Sequence, residues 1–252
     1  MKKYKIGLKL WSINKNYNQD IVDLYKNNYF DYIELYIKPG TYDEFVKFWQ
    51  THKIPYTIHA PHYGDGVNLS ERSKIIYNQA CYNESARFAD QLNADYIIFH
   101  PGVNGKLEET VRQLVILNDK RIIIENKPRY GLNNENCIGY SPEEISLIKK
   151  ETGYNCCLDF GHAICAAKSL SVNHIDYIKS FIKLQPVVFH LTDGDINSSK
   201  DIHEHYGKGN FPIAEIVSLI PSDSKITNEA KKNSNSDLNC FRDDIEYLCK
   251  LF

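Results

Sequence analysis

No stretch of this chain approaches the roughly 18 to 20 consecutive apolar residues needed to span a bilayer, which excludes a membrane-crossing helix. An excess of one charge is missing too. The 30 Lys and Arg stand against 32 Asp and Glu, a net charge of −2. No whole-molecule positive field therefore points to nucleic acid or an anionic membrane, and only a local basic groove could serve such a partner. Seven cysteines are present but no Cys-x-x-Cys. Their odd number, with Cys156 and Cys157 adjacent in a predicted strand, argues against a disulfide framework and for reduced thiols in the cytoplasm. The N-terminus begins basic with Lys2, Lys3 and Lys5, yet Lys9 interrupts the apolar stretch and no small-residue cleavage site follows. The segment reads as a first strand, not a secretion signal. After Trp11 come Ser12-Ile13-Asn14, without the phosphate-binding glycine loop that an open doubly wound sheet places there. Low-complexity segments and sequence repeats are also lacking.

What is present is an ordinary globular composition, 42% hydrophobic and 25% charged over 252 residues, enough to bury a sizeable core. Eight β-branched and aromatic runs recur: Ile6 to Trp11, Tyr32 to Tyr36, Tyr56 to His59, Tyr96 to His100, Arg121 to Glu125, Cys156 to Asp159, Val187 to Leu191 and Lys225 to Asn228. Between them lie helix-length segments such as Ile21 to Asn28, Tyr42 to His52, Ser70 to Leu92, Leu107 to Leu117 and Ser141 to Glu151. Ser141-Pro142-Glu143-Glu144 marks one helix start, with an N-cap serine, a proline at the first position and a glutamate at the third. Eight βα units predict a single (β/α)8 barrel domain, a TIM barrel over residues 1–252. The only long irregular insertions expected are Asp195 to Asn210 and Lys231 to Asn239, both after late strands.

A barrel brings the C-terminal ends of its strands to one mouth, so the residues there matter together. Strands 3, 4, 5 and 6 end in His59, His100, Glu125 and Asp159. His162 follows strand 6, His190 lies in strand 7, Glu229 follows strand 8, and Asp201 and His203 lie in the loop after strand 7. All nine are metal-ligand types. Crowding them without cations would cost heavy repulsion and desolvation, so bound metal is expected. Mixed imidazole and carboxylate donors suit zinc, with manganese or iron also compatible.

The pieces Ile58-His59-Ala60-Pro61, Phe99-His100-Pro101-Gly102, Ile124-Glu125-Asn126, Leu158-Asp159-Phe160-Gly161-His162, Phe189-His190-Leu191-Thr192-Asp193 and Asp201-Ile202-His203 with Gly207-Lys208-Gly209 resemble the superfamily of endonuclease IV and the xylose-isomerase-like sugar isomerases. Endonuclease IV-like members use up to three zinc ions to cut the phosphodiester 5′ to abasic sites in DNA. The resemblance implies one ion on His59, His100 and Glu125, and a second on Glu125, Asp159, His190 and Glu229. It puts a third on His162, Asp201 and His203. In the isomerases only the Glu125, Asp159, His190 and Glu229 site persists. There Mn2+ or Mg2+ would polarise a sugar or sugar phosphate while Glu125 and Glu229 act as acid and base, as in epimerases and inosose dehydratases, and His162 binds substrate.

Three features depart from the endonuclease pattern. The loop after strand 2 is only Ile37-Lys38-Pro39-Gly40-Thr41, without the arginine those enzymes insert into the duplex. His62 stands where a tyrosine is usual and begins a small insertion, reading either as a substrate-binding group or as a solvated loop histidine. Glu34, at the end of strand 2, is a residue type common among sugar-handling relatives and is equally readable as half of an ion pair. Lys127, Lys231 and Lys232 offer positive charge for a phosphate or simply solubilise the surface. The 18 Tyr and 11 Phe are dispersed and form no base-stacking motif.

Overall fold

The computed structural model describes residues 3–251. Eight parallel strands close into a barrel in sequence order: β1 (Lys5–Trp11), β2 (Tyr32–Tyr36), β3 (Tyr56–His59), β4 (Ile97–Phe99), β5 (Ile122–Glu125), β6 (Asn155–Asp159), β7 (Val188–Leu191) and β8 (Lys225–Asn228). Closure comes from β1 against β8, in register from Lys5↔Lys225 to Leu8↔Asn228. Helices α1 (Asn18–Lys26), α2 (Tyr42–Thr51), α3 (Ile75–Leu92), α4 (Leu107–Leu117) and α5 (Pro142–Thr152) each follow one strand. Two helices, α6 (Phe160–Leu170) and α7 (His174–Ile182), follow β6, and α8 (Ile213–Ser218) and α9 (Asn239–Cys249) complete the ring. No helix among the described residues is long and apolar enough to cross a membrane. None of the seven cysteines is paired.

Strand alternation builds two cores. Outward residues such as Ile33, Leu35, Ile58, Phe99, Ile124, Leu158 and Phe189 join the helices in one large apolar cluster. Inward Ile98, Ile123, Cys157 and Val188 form a separate cluster within the barrel. On the opposite wall a Cβ at Gly7 would collide with the Tyr32 ring, so glycine there lets that ring fill the interior. Helix α5 starts as its sequence dictates: Ser141 Oγ accepts from Glu144 N at 3.3 Å, and the helix ends on Gly153 at φ +73°.

Several boundaries shift by a residue or more, β4 ending at Phe99 so that His100 stands just beyond it and α1 starting at Asn18, and two differences are larger. The α-helix does not begin at Ser70, because Ser70 Oγ donates to Asn68 Oδ1 at 2.8 Å and its carbonyl accepts from Lys106 N; a short 3-10 turn, Arg72–Lys74, then leads into α3. A third long rim segment, residues 126–141, joins the two expected insertions. It is pinned by backbone bridges Val103↔Cys137 and Tyr130↔Asn136, which link positions the sequence leaves unconnected.

Candidate metal centre

Each strand delivers its chemistry at its C-terminal end. Register pairs Tyr36 with His59, His59 with Ile98, Glu125 with Cys157 and Asp159 with His190, so the ligand-type residues stand on neighbouring strands around one rim. Asp159 also caps α6, its Oδ1 accepting from His162 N at 2.7 Å. This turn carries His162 back over the mouth. Asp193 shapes the loop after β7: Oδ2 accepts from Gly207 N and Gly209 N, and Oδ1 from Phe211 N at 3.0 Å. The Gly-Lys-Gly run is therefore a scaffold for Asp201 and His203. His203 sits at φ +49°, a conformation disfavoured for a side-chain-bearing residue and held here by its N–H donating to Asp201 Oδ1 at 2.9 Å. Gly161 leaves room for the Asp201 carboxylate, which any Cβ there would strike.

All nine predicted ligand positions reach the mouth. The donor atoms of His59, His100 and Glu125 lie within 4.8 Å of one another, as do those of His162, Asp201 and His203. The remaining set is looser. His190 Nδ1 lies 2.8 Å from Glu229 Oε1, 3.4 Å from Glu125 Oε2 and 3.9 Å from Asp159 Oδ2, while Asp159 groups more closely with Glu125 and His162, and His190 with Glu34 and Glu229.

Tautomers follow from the outer contacts. His59 Nδ1 lies 2.8 Å from the Ala60 carbonyl, to which it donates, so the ring turns Nε2 toward Glu125 Oε2 at 3.1 Å. His190 Nε2 donates to Glu34 Oε2 at 2.9 Å and directs Nδ1 at the carboxylates. Lone pairs so opposed need a proton or a metal ion between them. The carboxylate–imidazole arrangement of Glu34 and His190 is how second partners fix metal-binding histidines. Asp201 Oδ2 and His203 Nδ1 are buried without a hydrogen-bond partner. Unsatisfied donors and acceptors of this kind are expensive; these two belong to one candidate ligand set, while Thr192 Oγ1, His52 Nε2 and His205 Nε2 are unpaired outside it. The donor set and the orphaned atoms fit divalent ions.

Electrostatics point the same way. Burial opposes charge on His190, yet the carboxylates of Glu229, Glu34 and Glu125 overrule it and hold the imidazolium well above its usual range. Burial, with Asp201 and Glu229 adding to it against the pull of His162, pushes the Asp159 carboxyl up to about 6. The carboxylates of Glu34, Glu125, Asp159, Asp201 and Glu229 outnumber the ammonium groups of Lys9 and Lys127 among them, an excess of negative charge that a bound cation would offset.

The other expectations are resolved by position. His62 is no solvated loop residue: its ring stacks on His100 at 5.0 Å between centroids and 2° between planes. The insertion that holds it is tied down by Tyr36 and Lys38, both bonded to Asp65. Burial, reinforced by Lys127, pulls the His62 imidazole down to about 3. Because its Nδ1 accepts from Gly64 N at 3.0 Å, the neutral ring keeps Nε2–H as a donor. Lys127, expected either to offer charge to a phosphate or to solubilise the surface, is buried among the candidate ligands and lines the cavity, which removes the second reading. Lys231 lies on the rim, half exposed and paired with Glu204 at 2.9 Å. Glu34 is fully buried and carries the ion pairs with His190 and Lys9.

Lys9 is the residue that sequence reasoning missed. Its ammonium is paired with Glu229 and lies 3.1 Å from Glu34. The available signal was alternation in β1, which puts Lys9 on the inward face with Gly7, at the same strand-end height as the ligands. All these side chains except Glu34, Asp159 and His190 open onto one cavity of about 750 Å³. Its walls include Tyr36, Tyr63, Tyr130 and the exposed Trp11, Leu132 and Ile202.

Fold and site together define a (β/α)8 barrel with a candidate metal centre at its C-terminal mouth. The chain belongs to the xylose isomerase-like TIM barrel family, whose family model matches residues 20–250. It is 28% identical over 204 residues to a probable endonuclease 4 of Thermoplasma volcanium, covering 74% of this chain and 70% of that protein. A probable endonuclease 4 of Carboxydothermus hydrogenoformans is 26% identical, with 71% and 69% covered. Among solved structures, a D-tagatose 3-epimerase-like protein superposes with a TM-score of 0.74 at 18% identity over 98% of this chain and 96% of its own. Endonuclease IV from Thermus thermophilus gives 0.65 at 19%, over 96% and 99%. At such identities these structures speak to the fold alone.

Proposed function

We propose that the chain is a metal-dependent phosphodiester hydrolase of endonuclease IV type, acting 5′ to abasic sites in DNA. The observation that carries this reading is the gathering of His59, His100 and Glu125 and of His162, Asp201 and His203 into two compact sets on either side of Glu125, Asp159, His190 and Glu229. An isomerase has no use for the two outer sets as ligands. Up to three Zn2+ ions bound there would supply Lewis acidity toward phosphoryl oxygens and a lowered pKa for the attacking water. Glu125 Oε2 faces His59 and His100 of the first set and His190 of the second, while Glu34 orients His190 through the Nε2 hydrogen bond. His62 presents its Nε2–H as a neutral donor for a substrate oxygen, and Lys127 and Lys231 contribute positive charge to cavity and rim. In place of the missing arginine loop, exposed Trp11, Leu132 and Ile202 are the apolar side chains available to enter a base stack.

The test is incision of a duplex carrying one abasic site by Zn2+-loaded protein, with chelator-stripped protein as control. Incision that is lost on stripping supports the reading. No incision, with turnover of a ketose or an inosose instead, rejects it in favour of a sugar or sugar-phosphate isomerase or epimerase using Mn2+ or Mg2+. One observation favours that second reading: Glu125 and Glu229 both face His190 Nδ1 in a cavity of small-molecule size, a suitable pair for proton transfer between adjacent carbons.

A further inference from the structure

Two ammonium groups stand where metal ligands point. Lys127 Nζ lies 3.3 Å from His162 Nε2, 3.5 Å from His100 Nε2 and 3.8 Å from Glu125 Oε1. One cation thus touches members of both outer sets. His162 Nδ1 faces two oxygens, Asn126 O at 2.9 Å and Glu125 Oε1 at 3.0 Å, so Nε2 is the atom it offers to Lys127. Lys9 is wedged between Glu34 and Glu229 by its strand neighbours β2 and β8. Among the described residues, neither ammonium has an ion-pair partner outside the mouth. An ammonium has three N–H donors and no lone pair, so it satisfies these acceptors as a metal would, and one electron pair cannot serve both.

We propose that Lys9 and Lys127 are resident cations of the centre, which metal ions displace from Glu229, His100 and His162 and turn toward the cavity, where they bind anionic oxygens of the substrate. The inference rests on reading the mouth as a metal centre for an anionic substrate. In the metal-free chain the two lysines offset the repulsion among buried carboxylates. Metal entry must then oust them, which weakens metal binding while equipping the cavity with two mobile cations.

Three measurements test this. Zn2+ affinity, read by competition with a chromophoric chelator, is expected to tighten at least about tenfold in Lys9→Met and in Lys127→Met, because each removes a positive charge within a few ångströms of the ions. Lys150→Met, on the exposed face of α5 and paired with Glu151, serves as the control and leaves affinity unchanged. In wild-type protein, reductive methylation followed by mass spectrometry is expected to modify Lys9 and Lys127 faster with Zn2+ than without it, while the exposed Lys150 reacts equally in both states. Inorganic phosphate is expected to bind the Zn2+-loaded variants about tenfold more weakly than loaded wild type. Unchanged or weaker Zn2+ affinity in both variants, methylation indifferent to Zn2+, or undiminished phosphate binding would each overturn the proposal. Should neither variant fold, the wild-type methylation result decides alone. A wild-type chain that binds no Zn2+ sinks the metal-centre reading along with this one, whereas metal binding without displacement sinks only this one.

Discussion

The middle of the barrel and its mouth are made by the same eight strands, two residues apart. Gly7, Tyr32, Thr57, Ile98, Ile123, Cys157, Val188 and Thr227 are followed two positions later by Lys9, Glu34, His59, His100, Glu125, Asp159, His190 and Glu229. The first layer is neutral: Ile98, Ile123, Cys157 and Val188 pack together, Tyr32 OH and Thr227 Oγ1 share a 2.7 Å hydrogen bond, and the two threonines find charged partners outside the layer, Thr227 donating to Glu34 Oε2 at 2.7 Å and Thr57 to Asp95 Oδ1 at 2.8 Å. The second is crowded with charge and orphaned polar atoms. Burial in the lower layer stabilises the fold, whereas the upper layer takes on the desolvation cost of ionised groups for the sake of chemistry. That difference separates residues whose loss unfolds the protein from residues whose loss silences it.

Four substitutions can break this division, in descending order of effect. Glu125→Gln removes the carboxylate that the first two ligand sets share and is expected to slow abasic-site incision on the order of 10³-fold, with fewer ions per chain by metal analysis. Normal turnover in that variant would dissolve the distinction. Ile123→Ala, one layer down, is expected to cost about 2–4 kcal/mol in urea unfolding of the metal-free chain while leaving the metal content of folded protein unchanged. Glu34→Gln keeps every ligand but loosens the outer contact of His190, so metal affinity is expected to fall about 10- to 100-fold, with unfolding affected less than by Ile123→Ala. The smallest effect belongs to Lys231→Met, whose exposed pair with Glu204 contributes within about 0.5 kcal/mol; a larger loss of stability would mean the rim is more tightly built than its exposure indicates.

The candidate ligand positions were legible because two local rules meet in them. Strand length and alternation fix which residue ends a strand facing inward, and the barrel brings strand ends together, so His59, Glu125 and Asp159 declare themselves from neighbouring residues alone. The N-cap geometry of α5 was equally local, written in Ser141 and Pro142. His62 was harder, since its ring is placed by Tyr36, Lys38 and Asp65 acting through the insertion. The 126–141 segment was missed because its order comes from backbone pairing with residues 103 and 104, which no local pattern announces.

Lys9 and Lys127 mark the boundary most clearly. Composition, alternation and strand-end identity determined a (β/α)8 barrel and nine ligand-type residues at its mouth. Only the closed tertiary structure decided that a lysine of the first strand would meet a glutamate 220 positions away, and that Lys127 would point inward between two imidazoles instead of into solvent. The physical reason is range. Side-chain alternation is set by the local backbone, whereas the partner of a buried charge is set by barrel closure and by the demand that each desolvated ion find its counter-charge.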